Sequence, residues 1–566
     1  MPTIEVAISD LESLLKENVD REKLETLLEK VKGELKEFVR DTDSAKIELN
    51  DTNRPDLWCP EGIVRQIRPP EKKWEDAYPF FGESTKALHR VDISKAVGAV
   101  RPYLGACISR GMTVTPTILE QLIQTQEKLA DAFGRKRQMV SIGLYRLKKI
   151  TFPVRYDLGD PETTAFVPLG SESPMCLREI LAGHPKGIEY AGTLSGCDRF
   201  PILKDATGEI LSFPPIINSR TIGEVEVGDS ELFVEVTGTH LRMVVLAVNI
   251  FAANLSDRGA AIEPVALRYS EATEFGETFQ TPYDLSESIS LTLAELNRVL
   301  GESMNIEEAR KGLKSYGLSV KTLGETLKTR SAPYRDDLMH PIDLVEDFAI
   351  ARGYNAFEPE LPVTYTVGSL AEIERFSDAL REAMVGFGFE EVVSNILGSS
   401  EDFIERMSLE SERTNRPETQ CIEIENPMNE RYALLRSWLL PCLLRVEGAS
   451  SKAFYPHRIF EVGEVATSAH ETATGSETSM HLSAMIAHPT ANFSELHAVL
   501  EALLHRLSKN PQLEPARHPS FIDGRFGRVV VENRAVGFIG ELGPVVLDAW
   551  QIGMPTAAFE LQMEML

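Results

Sequence analysis

The chain has 566 residues, 43% hydrophobic and 26% charged, an ordinary soluble composition spread over several cores rather than one. Its net charge of −27, from 59 Lys and Arg against 86 Asp and Glu, excludes broad unaided binding to nucleic acid. No apolar run reaches membrane-spanning length, the start MPTIEVAISD is not expected to be a signal peptide, and six scattered cysteines form no CxxC, so a reducing cytoplasm is expected rather than disulfides or zinc.

In chain order, the alternating run 3–8 predicts a strand, and acid- and base-rich helical segments follow to about residue 38. ELNDTNRPDLWCPEG (48–62) is turn-rich, and Asn53-Arg54-Pro55-Asp56 is a helix-start signal. Residues 1–75 therefore read as an N-terminal α/β domain and 69–86 as a linker. A mixed α/β domain is expected over 86–264. Thr115-Pro116 starts an amphipathic helix there, with Ile118, Leu122, Thr125, Leu129 and Phe133 on one side and Gly134 at its end. Strand-like 138–147 follows, then short pieces punctuated by glycine and proline, the strand 232–237 and the apolar helix 239–255. Arg135, Lys136 and Arg137, with Arg146, Lys148 and Lys149, form a local basic excess that reads as a solvated helix end.

Residues 275–356 hold a helix over Leu293–Leu300 and another after Asn305, where Asn305 and Glu308 have capping-box spacing. Two extended segments and an acidic helix complete a winged-helix-like pattern. Residues 366–566 open with an amphipathic helix over 370–385 and a strand over 391–397. They close with strands around 528–531 and 536–539 and a helix after Gly543-Pro544.

The stretch PYRDDLMHPIDLVEDFAIARGY (333–354) crowds Asp336, Asp337, Asp343, Glu346 and Asp347 together. Asp343, Glu346 and Asp347 share one helical face, and Leu344, Val345 and Phe348 form a packing stripe away from it. Pro341 and first-turn acids suit a solvated helix start. Like charges this close also require a compensating cation, either a metal or an Arg or Lys of a partner, and sparse carboxylates suit Mg²⁺.

Six segments in order resemble the beta subunits of phenylalanyl-tRNA synthetases of the archaeal/eukaryotic type: ELNDTNRPDLWCPEGIVRQI, QEKLADAFGRKR with SIGLY, FPPIINS, FVEVTGT, the acidic stretch and GELGPVV. The resemblance covers nearly the whole chain. It implies a B3/B4-type editing domain over 86–264, a B5 winged-helix-like domain over 275–356 and a degenerate, antiparallel class II synthetase-like domain over 366–566. It also implies a partner alpha subunit in a heterotetramer of two alpha and two beta chains, with tRNA(Phe) as substrate. Aminoacylation, driven by ATP and Mg²⁺, is implied to occur in alpha. Asp337, Asp343, Glu346 and Asp347 match the family's Mg²⁺ site near the subunit interface, with Asp336 a solvated neighbour. Arg458-Ile459-Phe460-Glu461-Val462-Gly463 resembles the second class II motif, whereas residues 538–551 lack the third motif's arginine, which fits a non-catalytic scaffold.

Phenylalanine and tyrosine differ by one hydroxyl, which a hydrophobic pocket rejects poorly, so a second hydrolytic site that recognises the phenol is expected. The resemblance places its pocket at Gln126, Glu127, Arg137, Ser212, Asn218, Glu235 and Thr237. Glu235 and Thr237 alternate on an extended run and so face one side. Glu235 is expected to hold the substrate ammonium or to accept from the phenol; related proteins often carry aspartate there. No Ser-His-Asp or metal-hydroxide pattern is visible, so a positioned water and the tRNA's own hydroxyls are expected to carry hydrolysis. Two other functions fit less of the chain: a freestanding tRNA-deacylating protein, and a non-enzymatic RNA-binding or assembly subunit.

Overall fold

The computed structural model describes residues 2–69, 72–82, 85–410, 417–450 and 452–566. The chain forms two compact units, Met1–Glu360 and Leu361–Leu566.

The first unit begins with the strand Thr3–Ala7, which buries Ile4 and Val6. It pairs with Ser44–Leu49, and that strand also pairs with Gly33–Val39. The helical reading to residue 38 is corrected here. Helices end at Leu28 and a short turn at Val31, where Lys32 takes a left-handed φ of 48°. The chain then continues as a strand because Leu35 and Phe38 pack on the core, with a register shift between Leu35 and Glu37. Nor are residues 69–86 a linker. Trp74, Tyr78, Phe80 and Phe81 are buried, and Tyr78 Oη donates to Asp257 at 2.8 Å. Four buried aromatics outweigh the polar, proline-rich look of that segment.

A ten-stranded sheet fills the middle of the unit. Its order is Ile217–Asn218, Ile210–Phe213, Phe200–Lys204, Val154–Gly159, His89–Ile93, Ala261–Thr273, Tyr103–Arg110, Glu231–Gly238 and Val140–Arg146, with Gly276–Thr281 beside Ala261–Thr273. His89–Ile93 runs parallel to both neighbours, and the other pairs are antiparallel. The expected boundary at 264 falls inside a strand whose Val265 and Leu267 are fully buried, so the sheet extends to Thr281. The helix Leu241–Asp257 packs on Tyr103–Arg110 and Glu231–Gly238. Its approach is close: a side chain at Gly238 would meet Val244 Cγ2 of this helix at 2.6 Å.

A three-stranded sheet, Ser288–Thr292, Thr326–Arg330 and Ser319–Leu323, follows with Thr326–Arg330 central. The helices Leu293–Leu300, Ile306–Ser315 and Pro341–Arg352 share its core through Leu291, Leu296, Leu313, Leu327, Leu344 and Phe348. Asn305 and Glu308 form the capping box their spacing predicts.

In the second unit a seven-stranded sheet runs Glu390–Glu391, His457–Ser468, Ser476–Ala487, Thr556–Gln562, Arg534–Leu542, Phe521–Val531 and Gln512–Pro515. Alternation sorts its two faces: Phe460 and Val462 pack with the helices Glu372–Gly386 and Phe493–Arg506, and Ile459 packs with Leu440–Ala449. The strand expected over 391–397 shrinks to Glu390–Glu391 and Leu397–Gly398. Between them Ser394 donates its N–H to the Glu461 side chain rather than to a backbone carbonyl of the neighbouring strand.

Candidate functional site

The antiparallel pair Val140–Arg146 and Glu231–Gly238 contributes one wall of a cavity of about 530 Å³. The helix Pro116–Lys128 and the turn 213–216 contribute others. Six of the seven residues expected in the editing pocket line it: Gln126, Glu127, Arg137, Ser212, Asn218 and Glu235. Gln126 Nε2 donates to the Ile142 carbonyl at 2.6 Å, and Glu127 stands exposed at the rim. Arg137 is fastened rather than loose: it donates to the carbonyls of Pro215 and Ile216 at 3.2 and 2.9 Å and lies 4.1 Å over the Tyr190 ring.

The floor is organised by strand register. Gly143 faces Glu235, Tyr145 faces Phe233 and Ser141 faces Thr237. Tyr145 Oη donates to Glu235 Oε2 at 2.7 Å and lies 2.9 Å from Ser212 Oγ and 3.3 Å from Asn218 Oδ1. Glu235 is 2% exposed, and burial pushes its carboxyl up to about 7 despite the Tyr145 hydrogen bond, the Arg101 charge and a contact from the Thr237 hydroxyl. Its Oε1 is buried with no hydrogen-bond partner among the described residues. A buried polar atom left unpaired is costly, and it belongs to a side chain that lines the cavity, which makes it the strongest indication of a ligand.

Thr237 is the correction. It is fully buried and is not part of the cavity lining. Arg101 Nε donates to Thr237 Oγ1 at 3.0 Å and Arg101 Nη2 to the Thr237 carbonyl at 2.6 Å. Ser141 Oγ lies 3.0 Å from the same hydroxyl. Alternation put Thr237 on the Glu235 face, but Arg101, buried and pushed down to about 10 by burial, occupies the space in front of it. Sequence reasoning also missed Tyr145, Gly143 and Arg101, and the rim residues His184 and Lys186. SIGLYR carried the one available signal, a glycine two residues before an aromatic on a buried strand.

The chemistry of the cavity is that of recognition. Among its lining residues, His184 accepts the Lys186 N–H at Nδ1, and its Nε2 lies 3.1 Å from the Leu169 carbonyl. Both ring nitrogens are thus engaged with backbone, so it does not serve as a base facing a nucleophile.

The acidic stretch contains its own cations. Arg335 donates to both oxygens of Asp337, at 3.0 and 2.6 Å, and its guanidinium lies 2.9 Å from Asp347. Arg54, from the turn-rich segment, stands 3.7 Å from Asp337 and makes bidentate bonds to Asp56 at 2.8 Å. Against a burial that pushes upward, Arg335 and Arg54 hold Asp337 down at about 2. Burial raises Asp347 in spite of Arg335. Lys32 pairs with Glu346 at 2.5 Å and with Asp51 at 3.0 Å. Asp343 folds back to accept the N–H groups of Met339 and His340, both at 2.7 Å, and so caps its own helix. Asp336 is no solvated neighbour: Arg242 grips it at 2.7 and 3.0 Å.

Of the four carboxylates matched to a Mg²⁺ site, Asp337 and Asp347 share Arg335, whereas Glu346 pairs with Lys32 and Asp343 caps its own helix. No group of three or more metal-ligating side chains converges among the described residues. These donors do not fit a metal as they stand. The counter-charge expected from like-charge crowding is supplied by Arg335, Arg54 and Lys32 of the same chain.

In the second unit the class II-like residues are likewise paired. Arg458 binds Glu495 at 2.8 Å, and buried Glu461 binds Arg436 and Ser394, both at 2.6 Å.

Comparison with known proteins agrees across the chain. Residues 289–354 match the tRNA synthetase B5 domain, and residues 358–563 match the phenylalanyl tRNA synthetase beta chain CLM domain. The phenylalanine–tRNA ligase beta subunit of Borrelia hermsii is 35% identical over 568 residues, covering 100% of this chain and 99% of the relative. That of Borrelia garinii subsp. bavariensis is 34% identical over 574 residues, with the same coverage. An N-terminal fragment of the phenylalanyl-tRNA synthetase beta subunit from Pyrococcus horikoshii is 33% identical, covers 62% of this chain and 100% of its own, and superposes with a TM-score of 0.58. Among the described residues no helix is long and apolar enough to cross a membrane.

Proposed function

The chain belongs to the beta-subunit family of phenylalanine–tRNA ligases, and on that footing we propose that its cavity proofreads tRNA(Phe) by hydrolysing mis-attached tyrosine. One observation carries this reading: Glu235 is a buried carboxylate with one oxygen already accepting from a phenol and the other unpartnered beside the cavity. A tyrosyl group would supply the missing donor. A phenylalanyl group would leave Oε1 buried and unpaired, and sites built around a hydroxyl reject analogues lacking it by about 10⁴-fold or more. The deep position of Glu235 favours the phenol over the ammonium, which lies nearer the ester and hence the rim.

Gln126, Glu127, Arg137, His184 and Lys186 at the rim suit the ammonium, ribose and phosphate of the acceptor end. Water then adds to the ester carbonyl carbon, the bond to the ribose oxygen breaks, and that oxygen takes the water's proton. Tyrosine and intact tRNA leave. The rim offers positioning for that water, and the tRNA's adjacent hydroxyl supplies the remaining polar contact.

Synthesis of Phe-tRNA is assigned to a complex with the alpha subunit, two of each chain, in the cytoplasm, with ATP and Mg²⁺ as requirements of the complex. The pairing of Arg458 with Glu495 and of Glu461 with Arg436 supports a non-catalytic role for the second unit. The Borrelia relatives are bacterial, so the archaeal/eukaryotic type is a separate proposal, supported by the order of motifs and the likeness to the Pyrococcus horikoshii fragment. Purifying the chain with and without alpha, and assaying charging and Tyr-tRNA(Phe) hydrolysis separately, tests the division of labour. Charging by this chain alone would overturn it.

A further inference from the structure

We propose that Tyr145 is a positioning residue that sets the specificity of the proofreading cavity, by holding one oxygen of Glu235 so that the other is presented to the substrate phenol. The proposal rests on the proofreading reading above.

The argument begins with the strand pair. Side chains at 141, 143 and 145 lie on one face of Val140–Arg146, opposite those at 237, 235 and 233 of Glu231–Gly238. Tyr145 is fully buried, with its ring 5.8 Å from that of Phe233, so the ring has a fixed seat. Its hydroxyl nevertheless reaches Glu235, one pair further along. The reach crosses Gly143, and a Cβ there would lie 2.2 Å from Tyr145 Oη and 2.6 Å from Glu235 Oε2. The glycine is thus the gap through which phenol and carboxylate meet.

The phenol has one proton. Glu235 Oε2 is the nearest acceptor, at 2.7 Å, and the only charged one, so it takes that proton. Ser212 Oγ and Asn218 Oδ1, at 2.9 and 3.3 Å, surround the same phenol oxygen from the two strands across the cavity. Tyr145 therefore clamps Glu235 by Oε2, Thr237 adds a weaker polar contact to the carboxylate, and Oε1 has no hydrogen-bond partner among the described residues. The orientation of Glu235 is determined by a residue that does not itself line the cavity. Tyr145 acts through Glu235, and a substrate tyrosine would bind the same carboxylate as a second phenol.

The charged and titratable groups acting on Glu235 are Tyr145 on its partner strand, Arg101 beside Thr237 and Tyr156 on Val154–Gly159. Arg137, His184, Lys186, Glu127 and Glu224 line the cavity it faces. Tyr145, Arg101 and the Thr237 hydroxyl, in that order, favour the ionised carboxylate against the burial that opposes it.

The test uses the complete alpha–beta complex with Tyr-tRNA(Phe) and Phe-tRNA(Phe), and compares wild type with Tyr145→Phe. The ring and its packing remain; only the hydroxyl is removed. The expected result is a drop of about tenfold to a hundredfold in the ratio of deacylation kcat/KM for the two substrates, the range for a hydrogen bond to a charged group. The acid limb of the pH profile should move to higher pH, because a donor to the ionised form is gone. Charging should be unchanged. A folded Tyr145→Phe complex with wild-type ratio and wild-type acid limb overturns the proposal while leaving proofreading intact. A wild-type complex that fails to hydrolyse Tyr-tRNA(Phe) overturns the proofreading reading and this proposal with it. If Tyr145→Phe does not fold, Gly143→Ala displaces the same contact and is judged by the same two readouts.

Discussion

Glu235→Gln separates the cost of a buried charge from its use. Burial raises this carboxyl from 4.5 to about 7. At about 1.4 kcal/mol per pKa unit, keeping it ionised above neutrality costs the folded chain about 3 kcal/mol. The side chain is only 2% exposed, so solvent screening does not reduce that figure. The folded carboxyl binds its proton more tightly than the unfolded one, so its contribution to stability is complete below about 4.5 and declines as pH rises through about 7. Glutamine removes the titration. The Tyr145 hydrogen bond to the ionised carboxylate is already contained in that shift. The variant should therefore show no stabilisation at the acid end of the window and a net gain of about 3 kcal/mol above neutrality. Hydrogen exchange of peptides from Val140–Arg146 and Glu231–Gly238 reads the opening free energy of this sheet within a two-unit chain. A variant-minus-wild-type difference that is flat with pH, or that grows toward acid, would refute the reasoning. The gain should accompany a loss of Tyr over Phe discrimination, the usual relation between a strained site and stability.

Arg335→Met leaves two buried carboxylates short of a counter-charge, so exchange protection of Pro341–Arg352 should fall by about 3–5 kcal/mol at neutral pH. Asp337 sits low, at about 2, so its contribution in the wild type is present above the ordinary carboxylate range and is lost as pH falls through about 2. The deficit of the variant should accordingly shrink on acidification; a constant deficit would point to packing alone. Chelation with EDTA should leave exchange of this helix in the free wild-type chain unchanged, because side chains supply its counter-charges. Thr237→Ala removes a core hydroxyl that Arg101 requires, so it should lower stability by about 1–3 kcal/mol and change the Tyr/Phe deacylation ratio less than Tyr145→Phe does. A ratio changed as much as by Tyr145→Phe, at wild-type stability, would return Thr237 to the cavity.

The caps and long periodic elements are legible in the sequence. Thr115-Pro116 and Asn305 with Glu308 begin helices where their spacing says, because capping is a local matter of a few residues. The strand through Glu235 is equally legible, and the family resemblance brings Gln126, Ser212, Asn218 and Glu235 to one cavity from separate segments. What escapes depends on contacts distant in sequence. Tyr145 meets Glu235 only through a register across two strands and through the space left by Gly143. Alternation gives Thr237 the right face but does not show Arg101 arriving from another part of the chain. The acidic stretch poses a correct question about counter-charge. Its answer lies partly in Arg335, beside the acids in sequence, and partly in Arg54 and Lys32, about three hundred residues earlier. The segment 69–86 misleads because polar and proline-rich composition hides four aromatics that pack inward.

The central claim, that the Glu235 cavity proofreads, is tested most directly by Glu235→Ala in the alpha–beta complex. Deacylation of Tyr-tRNA(Phe) and synthesis of Phe-tRNA(Phe) are measured on the same preparation. The account predicts that deacylation is lost, tyrosine accumulates on tRNA(Phe) and synthesis of Phe-tRNA(Phe) proceeds at the wild-type rate. Wild-type deacylation by the folded variant would contradict it.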